Sequence, residues 1–182
     1  MQDLSLHILD VAENSIKAKA ARIEIRISDD AATDLLSLEI IDNGEGMDAE
    51  TVKKTLDPFF STKETRSIGL GLPLLAESAR AANGDFSIES RPGKGTHVKA
   101  TFQASHIDMK PLGDIALTVV TLIMGHPDVD IHYIHNVDHT HYSIDTHEIK
   151  SQLNGLSITS PEVIRFIRDH IKDGLDNLRR PT

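Results

Sequence analysis

The chain has no cysteine and no tryptophan, and aromatic residues fill only 4% of its 182 positions. Without cysteine there is no disulfide framework and no thiolate zinc site. With so few aromatics the core has to be aliphatic. No apolar run approaches the ~20 residues that a membrane helix needs, Ile115–Met124 being the longest. No block of Lys and Arg occurs, and 19 basic against 28 acidic residues leave a formal charge of −9. A nucleic-acid partner is therefore not expected. The N-terminal segment carries Asp3, Asp10 and Glu13 rather than a basic leader before an apolar core, so neither export nor membrane attachment is expected, and a cytoplasmic protein is. What remains, 39% hydrophobic and 26% charged residues, describes an ordinary globule with room for one domain and an extension.

The stretch Leu4–Lys17, LSLHILDVAENSIK, organises the rest. At helical spacing Leu4, Ile8, Val11, Ala12, Ser15 and Ile16 form a mostly apolar arc. Asp3, His7, Asp10, Asn14 and Lys17 form the opposite stripe, and Leu6 fits neither. Asp10 and Asn14 are four apart and so stand one turn above the other. An amide oxygen is a hard neutral ligand for Mg²⁺, and a carboxylate beside it can orient a water or join the metal. A pair of this kind alone describes a solvated helix face just as well. His7 on this stripe reads as a surface histidine.

Arg22–Ser28 and Leu35–Ile41 alternate as two strands of a hairpin. The second runs into Asp42-Asn43-Gly44-Glu45-Gly46-Met47, where the glycines permit a sharp bend and close approach to a ligand. Asp42 at the strand end can accept a hydrogen bond from an exocyclic amine, or simply cap its own turn. Asp48 is an N-cap for a short helix, Ala49–Leu56. Pro58-Phe59-Phe60-Ser61-Thr62-Lys63 reads as a loop pinned by two aromatics, followed by a polar segment, Glu64–Ser67. Gly69-Leu70-Gly71-Leu72 then opens a helix reaching about Ala82, with backbone N–H groups at its positive end suited to phosphates. Asp85–Ser90 and Gly95–Gln103 are strands about a turn at Arg91-Pro92-Gly93-Lys94.

Asp10-Val-Ala-Glu-Asn14-Ser15, Asp42-x-Gly44-x-Gly46, Pro58-Phe-Phe-Ser-Thr-Lys63, Gly69-Leu-Gly-Leu72 and Gly95-Thr96 resemble, in order, the motifs of the GHKL ATPase superfamily of gyrase, Hsp90, histidine kinases and MutL. The loop motif and the short segment before Gly69 are most like the histidine kinase catalytic domain. The resemblance implies an α/β two-layer sandwich with a mixed sheet, the Bergerat fold, over residues 1–104, and ATP with Mg²⁺ as cofactors. It implies that Asn14 binds Mg²⁺, that Asp42 meets the adenine amine, and that Gly44, Gly46 and Met47 let the chain pass the base. It further implies that Gly69, Leu70, Gly71 and Leu72 serve the phosphates, and that Thr96 supports the adenine site. Lys63 is a candidate for the γ-phosphate. The position four before the asparagine is commonly Glu in hydrolysing members; here it is Asp10, with Glu13 as a substitute base. No phospho-accepting hairpin precedes the motif helix in this sequence. The expected function is therefore a kinase-type module passing the γ-phosphate to a protein partner in trans. The alternative is an ATP-gated interaction protein with little turnover.

Residues 105–182 lie outside the resemblance and are expected to form a separate, smaller α+β extension. It comprises a helix Leu112–Gly125, strands near Val129–His135 and His139–Asp145, a short helix near His147–Leu153 and a helix Pro161–Leu178. A turn at Asn136-Val137 places Val129, Ile131 and Tyr133 on a face with Tyr142 and Ile144, and His132, His139 and His141 on the other. Those three imidazoles suggest a site for zinc or a similar ion, an acid sensor or a plain polar strand face. Ile164, Ile167, Ile171, Leu175 and Leu178 form a stripe that either pairs with a second copy or packs on its own domain.

Overall fold

Strands in which every second residue is aliphatic and the intervening ones charged can bury only one face, and helices must cover it. The computed structural model describes residues 3–57 and 71–178. Its elements run α1 (Leu4–Lys17), β1 (Arg22–Asp30), β2 (Leu35–Asp42), α2 (Ala49–Thr55), α3 (Gly71–Ala81), β3 (Phe86–Ser90), β4 (Thr96–Gln103), α4 (Ile115–Gly125), β5 (Asp130–Val137), β6 (Thr140–Asp145), α5 (Thr146–Gln152) and α6 (Pro161–Leu178). The six strands form one mixed sheet in the order β3-β4-β2-β1-β5-β6. All neighbours are antiparallel except β1 and β5, which run parallel. This is the two-layer α/β sandwich that the motifs imply.

Helices α3, α1, α4 and α6 lie side by side over one face of the sheet. Beneath them Ile23, Ile25 and Ile27 of β1 and Leu38 and Ile40 of β2 are at most 1% exposed. Full burial of such a side chain contributes about 1.5–3 kcal/mol. The opposite face is charged and cross-linked. Arg22 reaches Asp145 at 2.6 Å, His97 reaches Glu39 at 2.8 Å, and Glu24 joins both Arg26 and His132. Ion pairs at a surface contribute roughly 0–1 kcal/mol each, and these are partly covered.

The break expected at 104/105 is not a break in the sheet. β5 pairs with β1 along its whole length, from Arg22↔Asp130 to Asp29↔Val137, so the C-terminal segment extends the layer begun by the first 104 residues. Helix α4 starts at Ile115 rather than Leu112. Gly113 adopts φ +81°, and the Asp114 side chain accepts the Leu117 N–H at 2.8 Å as an N-cap. The β5–β6 turn falls at Asp138-His139, with Asp138 at φ +49°. That is an even shift from Asn136-Val137, so the faces survive. Tyr133 stands opposite Ile144 on the covered side, and His132 opposite Asp145 on the open one. His139 sits in the turn rather than on a strand, and no cluster of three metal-ligating side chains exists among the described residues. The stripe on α6 is taken up within the chain: Val163, Ile167 and Ile171 are buried, the last two completely, against α4, β5 and β6. Ile164, Leu175 and Leu178 of the same stripe are half-buried.

Candidate functional site

Helix α1 starts at an N-cap, Asp3, whose side chain accepts the Leu6 N–H at 3.1 Å. Its apolar arc lies on the sheet, which holds its Asn14 side against the end of β2. There a cavity of about 230 Å³ opens between α1, the β2–α2 loop, α3 and β4. Val11, Met47, Leu72 and Val98 give it apolar walls, and Asn14, Asp42 and Thr96 bring polar groups to it. Apolar walls with a few convergent polar groups are what a small-molecule site requires.

Asp42 is only 8% exposed. Its Oδ1 accepts the N–H of Gly44 at 2.9 Å and of Thr96 at 3.2 Å, and its Oδ2 accepts the Ser15 hydroxyl at 2.6 Å. A carboxylate accepts about four hydrogen bonds. Three are met, and the fourth is left for a donor in the cavity that Asp42 lines. Asn14 complements it: its Nδ2 is buried and has no hydrogen-bond partner among the described residues. A buried amide without a partner costs about 1–3 kcal/mol unless something else meets it.

The loop carrying Asp42 is fixed from the side of the β3–β4 turn. Gly46 has φ +69°, and a Cβ on it would stand 2.0 Å from the Arg91 carbonyl oxygen; Gly95 has φ +79°, and a Cβ there would stand 1.9 Å from that of Asp42. Only glycine allows these two loops to touch. Ser90 Oγ accepts the Met47 N–H at 2.8 Å, donates to the Gly95 carbonyl at 3.0 Å and lies 2.9 Å from Thr96 Oγ1.

The structure thus brings Asn14, Asp42, Gly46, Met47, Leu72 and Thr96 to one cavity, with Gly44 donating to Asp42 from behind. Asp10 stands against the start of α3, where a Cβ on Gly71 would come within 2.9 Å of its own Cβ. Its carboxylate is exposed, near the positive end of that helix. Glu13 is not brought there. It turns toward the end of α4, where its Oε1 lies 3.1 Å from His126 Nε2. Lys63, Gly69 and Leu70, with the rest of 58–70, lie outside the described residues.

Two residues depart from expectation. Ser15, assigned to the apolar arc, is the hydroxyl that orients Asp42; its place directly after Asn14 was the available signal. His7 is not on the surface. It is fully buried, and neither ring nitrogen has a hydrogen-bond partner among the described residues. Burial, then the Lys110 charge, lowers its pKa from 6.5 to about 4. The segment before α4 is tied to the start of the same helix: Pro111 and Leu112 carbonyls accept the N–H groups of Leu4 and Ser5 at 3.0 and 2.9 Å.

Comparison with known proteins agrees with this geometry. Residues 2–106 match the family model described as histidine kinase-, DNA gyrase B-, and HSP90-like ATPase. The sensor protein kinase FleS of Pseudomonas aeruginosa is 40% identical over 89 residues, 49% of this chain and 22% of FleS. The signal transduction histidine-protein kinase AtoS of Escherichia coli is 39% identical over 89 residues, 48% of this chain and 14% of AtoS. The chain therefore matches less than a quarter of the length of either relative. The solved Aquifex aeolicus MutL ATPase domain complexed with ADP superposes with a TM-score of 0.53 at 14% identity, covering 93% of this chain and 69% of that one. At that identity the likeness is one of fold.

Proposed function

Since the chain belongs to the family of histidine kinase-, DNA gyrase B-, and HSP90-like ATPases, we propose that it is an ATP·Mg²⁺-binding module of kinase type that passes the γ-phosphate to a partner protein. The observation that carries this reading is the buried Asp42 with one acceptor position to spare on a cavity shared with the unpartnered Asn14 amide. A carboxylate held this way accepts an N–H₂ group and rejects a carbonyl, which separates adenine from guanine. The cavity lies below the usual range of about 300–1,000 Å³ and suits a base rather than a whole nucleotide.

The residues present suit the absent group. Asn14 would hold the metal through its amide oxygen, since the two ends of a carboxamide exchange by a flip. Asp42, Ser15 and Thr96 would hold the base between Met47, Leu72 and Val98. When bound, Mg²⁺ neutralises charge on the transferred phosphoryl group. Asp10, at the start of α3, orients or deprotonates a water or acceptor hydroxyl, or shares the metal.

A second reading has its own support. Glu13 is engaged by His126, which leaves Asp10, one methylene shorter than Glu, as the exposed carboxylate one turn before Asn14, against the start of α3. Slow chemistry and nucleotide-gated partner binding would follow. Incubation with γ-labelled ATP in cell extract separates the two. Label on a partner protein, lost in Asp10→Asn while nucleotide binding stays, supports transfer. Label only in free phosphate, or none released, overturns it in favour of gating.

A further inference from the structure

On the far side of the Asp42–Thr96 wall lies a second concavity of about 610 Å³, between α2 and the β3–β4 turn. Ile41 and Val52 supply apolar surface, and Lys53, Arg91 and Lys94 stand around it, exposed. None of these three cations forms an ion pair or a side-chain hydrogen bond among the described residues. Elsewhere the cations commonly have partners: Lys19 with Glu45, Arg22 with Asp145, Lys54 with Glu50 and Lys150 with Asp130. On a chain of net charge −9, three unmatched cations around one groove, against Glu89 as the exposed carboxylate there, are a local reversal of sign.

The rim is also held rigidly. Gly93 N–H donates to the Glu45 carbonyl at 2.6 Å, and Lys94 N–H to that of Arg91 at 3.0 Å. The turn carrying Arg91 and Lys94 is thus tied to the loop after β2, and little ordering is left to be done on binding.

We propose that this groove docks an acidic, partly apolar segment of a partner protein, its carboxylates meeting Lys53, Arg91 and Lys94 and its apolar side chains meeting Ile41 and Val52. A nucleic acid is the poorer occupant. Duplex DNA carries one charge per about 1.7 Å, and phosphates beyond the groove would face the acidic remainder of this chain. The apolar surface between the cations gives a phosphate backbone nothing, whereas it gives an acidic peptide a place for its intervening side chains.

The test uses the full chain without nucleotide, so that its result is independent of the ATP reading. A short fluorescein-labelled peptide of alternating Glu and Leu is titrated by anisotropy, with the same peptide carrying Lys for Glu, and single-stranded DNA of equal length, as controls. The expected result is binding of the acidic peptide alone, weakened by raising salt from about 0.05 to 0.3 M. Affinity should fall by about tenfold or more in the Lys53→Gln/Arg91→Gln/Lys94→Gln variant, whose unfolding midpoint and ATP binding match wild type. Single-site variants, each expected to lose part of the affinity, stand in if the triple variant does not fold. The proposal is overturned if the acidic peptide does not bind, if the variant binds it equally, or if the DNA binds as tightly. It is also overturned if sedimentation shows the cations holding two copies of this chain together instead.

Discussion

The two ends of the sheet are built alike, with strands below and a pair of helices above, yet they treat their polar side chains differently. Over β2 and β4 the Asn14 amide nitrogen has no partner among the described residues and Asp42 has an acceptor position to spare. Over β5 and β6 the polar side chains satisfy one another. The Tyr133 hydroxyl lies 2.7 Å from His135 Nδ1, Tyr142 lies 2.6 Å from His170 Nδ1, and Thr146 Oγ1 accepts the Ile131 N–H at 2.8 Å. Ser160 Oγ is the buried side-chain exception at that end. Mutual satisfaction stabilises a core, while groups kept in want of a partner around a cavity cost stability that a ligand restores. That contrast is what the proposed reading of the first end as the binding end rests on, the second serving to hold the sheet together.

Ile171→Ala is the strongest way to break that comparison. Ile171, on the covered side of α6, is fully buried, and a truncation of this kind costs about 2–5 kcal/mol. Denaturant unfolding should show that loss, while the folded fraction binds ATP as wild type does. A parallel fall in affinity would mean that the two ends are not separable.

A second way uses acid. The folded His7 has its pKa depressed to about 4 from 6.5, so the folded state favours the neutral ring. Its contribution is complete above about pH 6.5 and is lost as the pH falls toward about 4, at 1.36 kcal/mol per unit and on the order of 3 kcal/mol in total. Unfolding free energies between pH 4 and 7 should show this slope in wild type and a weaker one in His7→Leu. Equal slopes would place the acid-sensitive group elsewhere.

The smallest effect sharpens the binding end. Ser15→Ala removes the hydroxyl that Asp42 Oδ2 accepts, which contributes about 1 kcal/mol. ATP affinity should fall roughly fivefold by fluorescence titration. An unchanged affinity would show that the two backbone N–H groups hold the carboxylate unaided.

Much of this was written locally in the chain. The bounds of α1 and α6 follow from helical spacing, with Pro161 as first residue of the second. The motifs also single out Asp42 and Asn14, which the fold brings to one cavity. What was not legible is long-range. Nothing in Asp130–Val137 says that its neighbour is β1 more than a hundred residues earlier, since alternation reveals a strand's two faces but not what lies along its edges. The burial of His7 is long-range in the same way: its stripe is polar, and the segment that hydrogen-bonds to the start of α1, Pro111–Leu112, comes from a hundred residues later. Ser15 escaped because a serine on an apolar arc has no periodicity of its own.

Calorimetric titration of ATP and of GTP, each with Mg²⁺, into wild type and Asp42→Asn tests the cavity most directly. ATP should bind wild type and GTP should not, and Asp42→Asn should lose about 2–3 kcal/mol of ATP affinity, some thirtyfold to over a hundredfold. Equal binding of the two nucleotides, or of ATP by both proteins, would contradict the assignment of Asp42 to adenine and with it the nucleotide cavity.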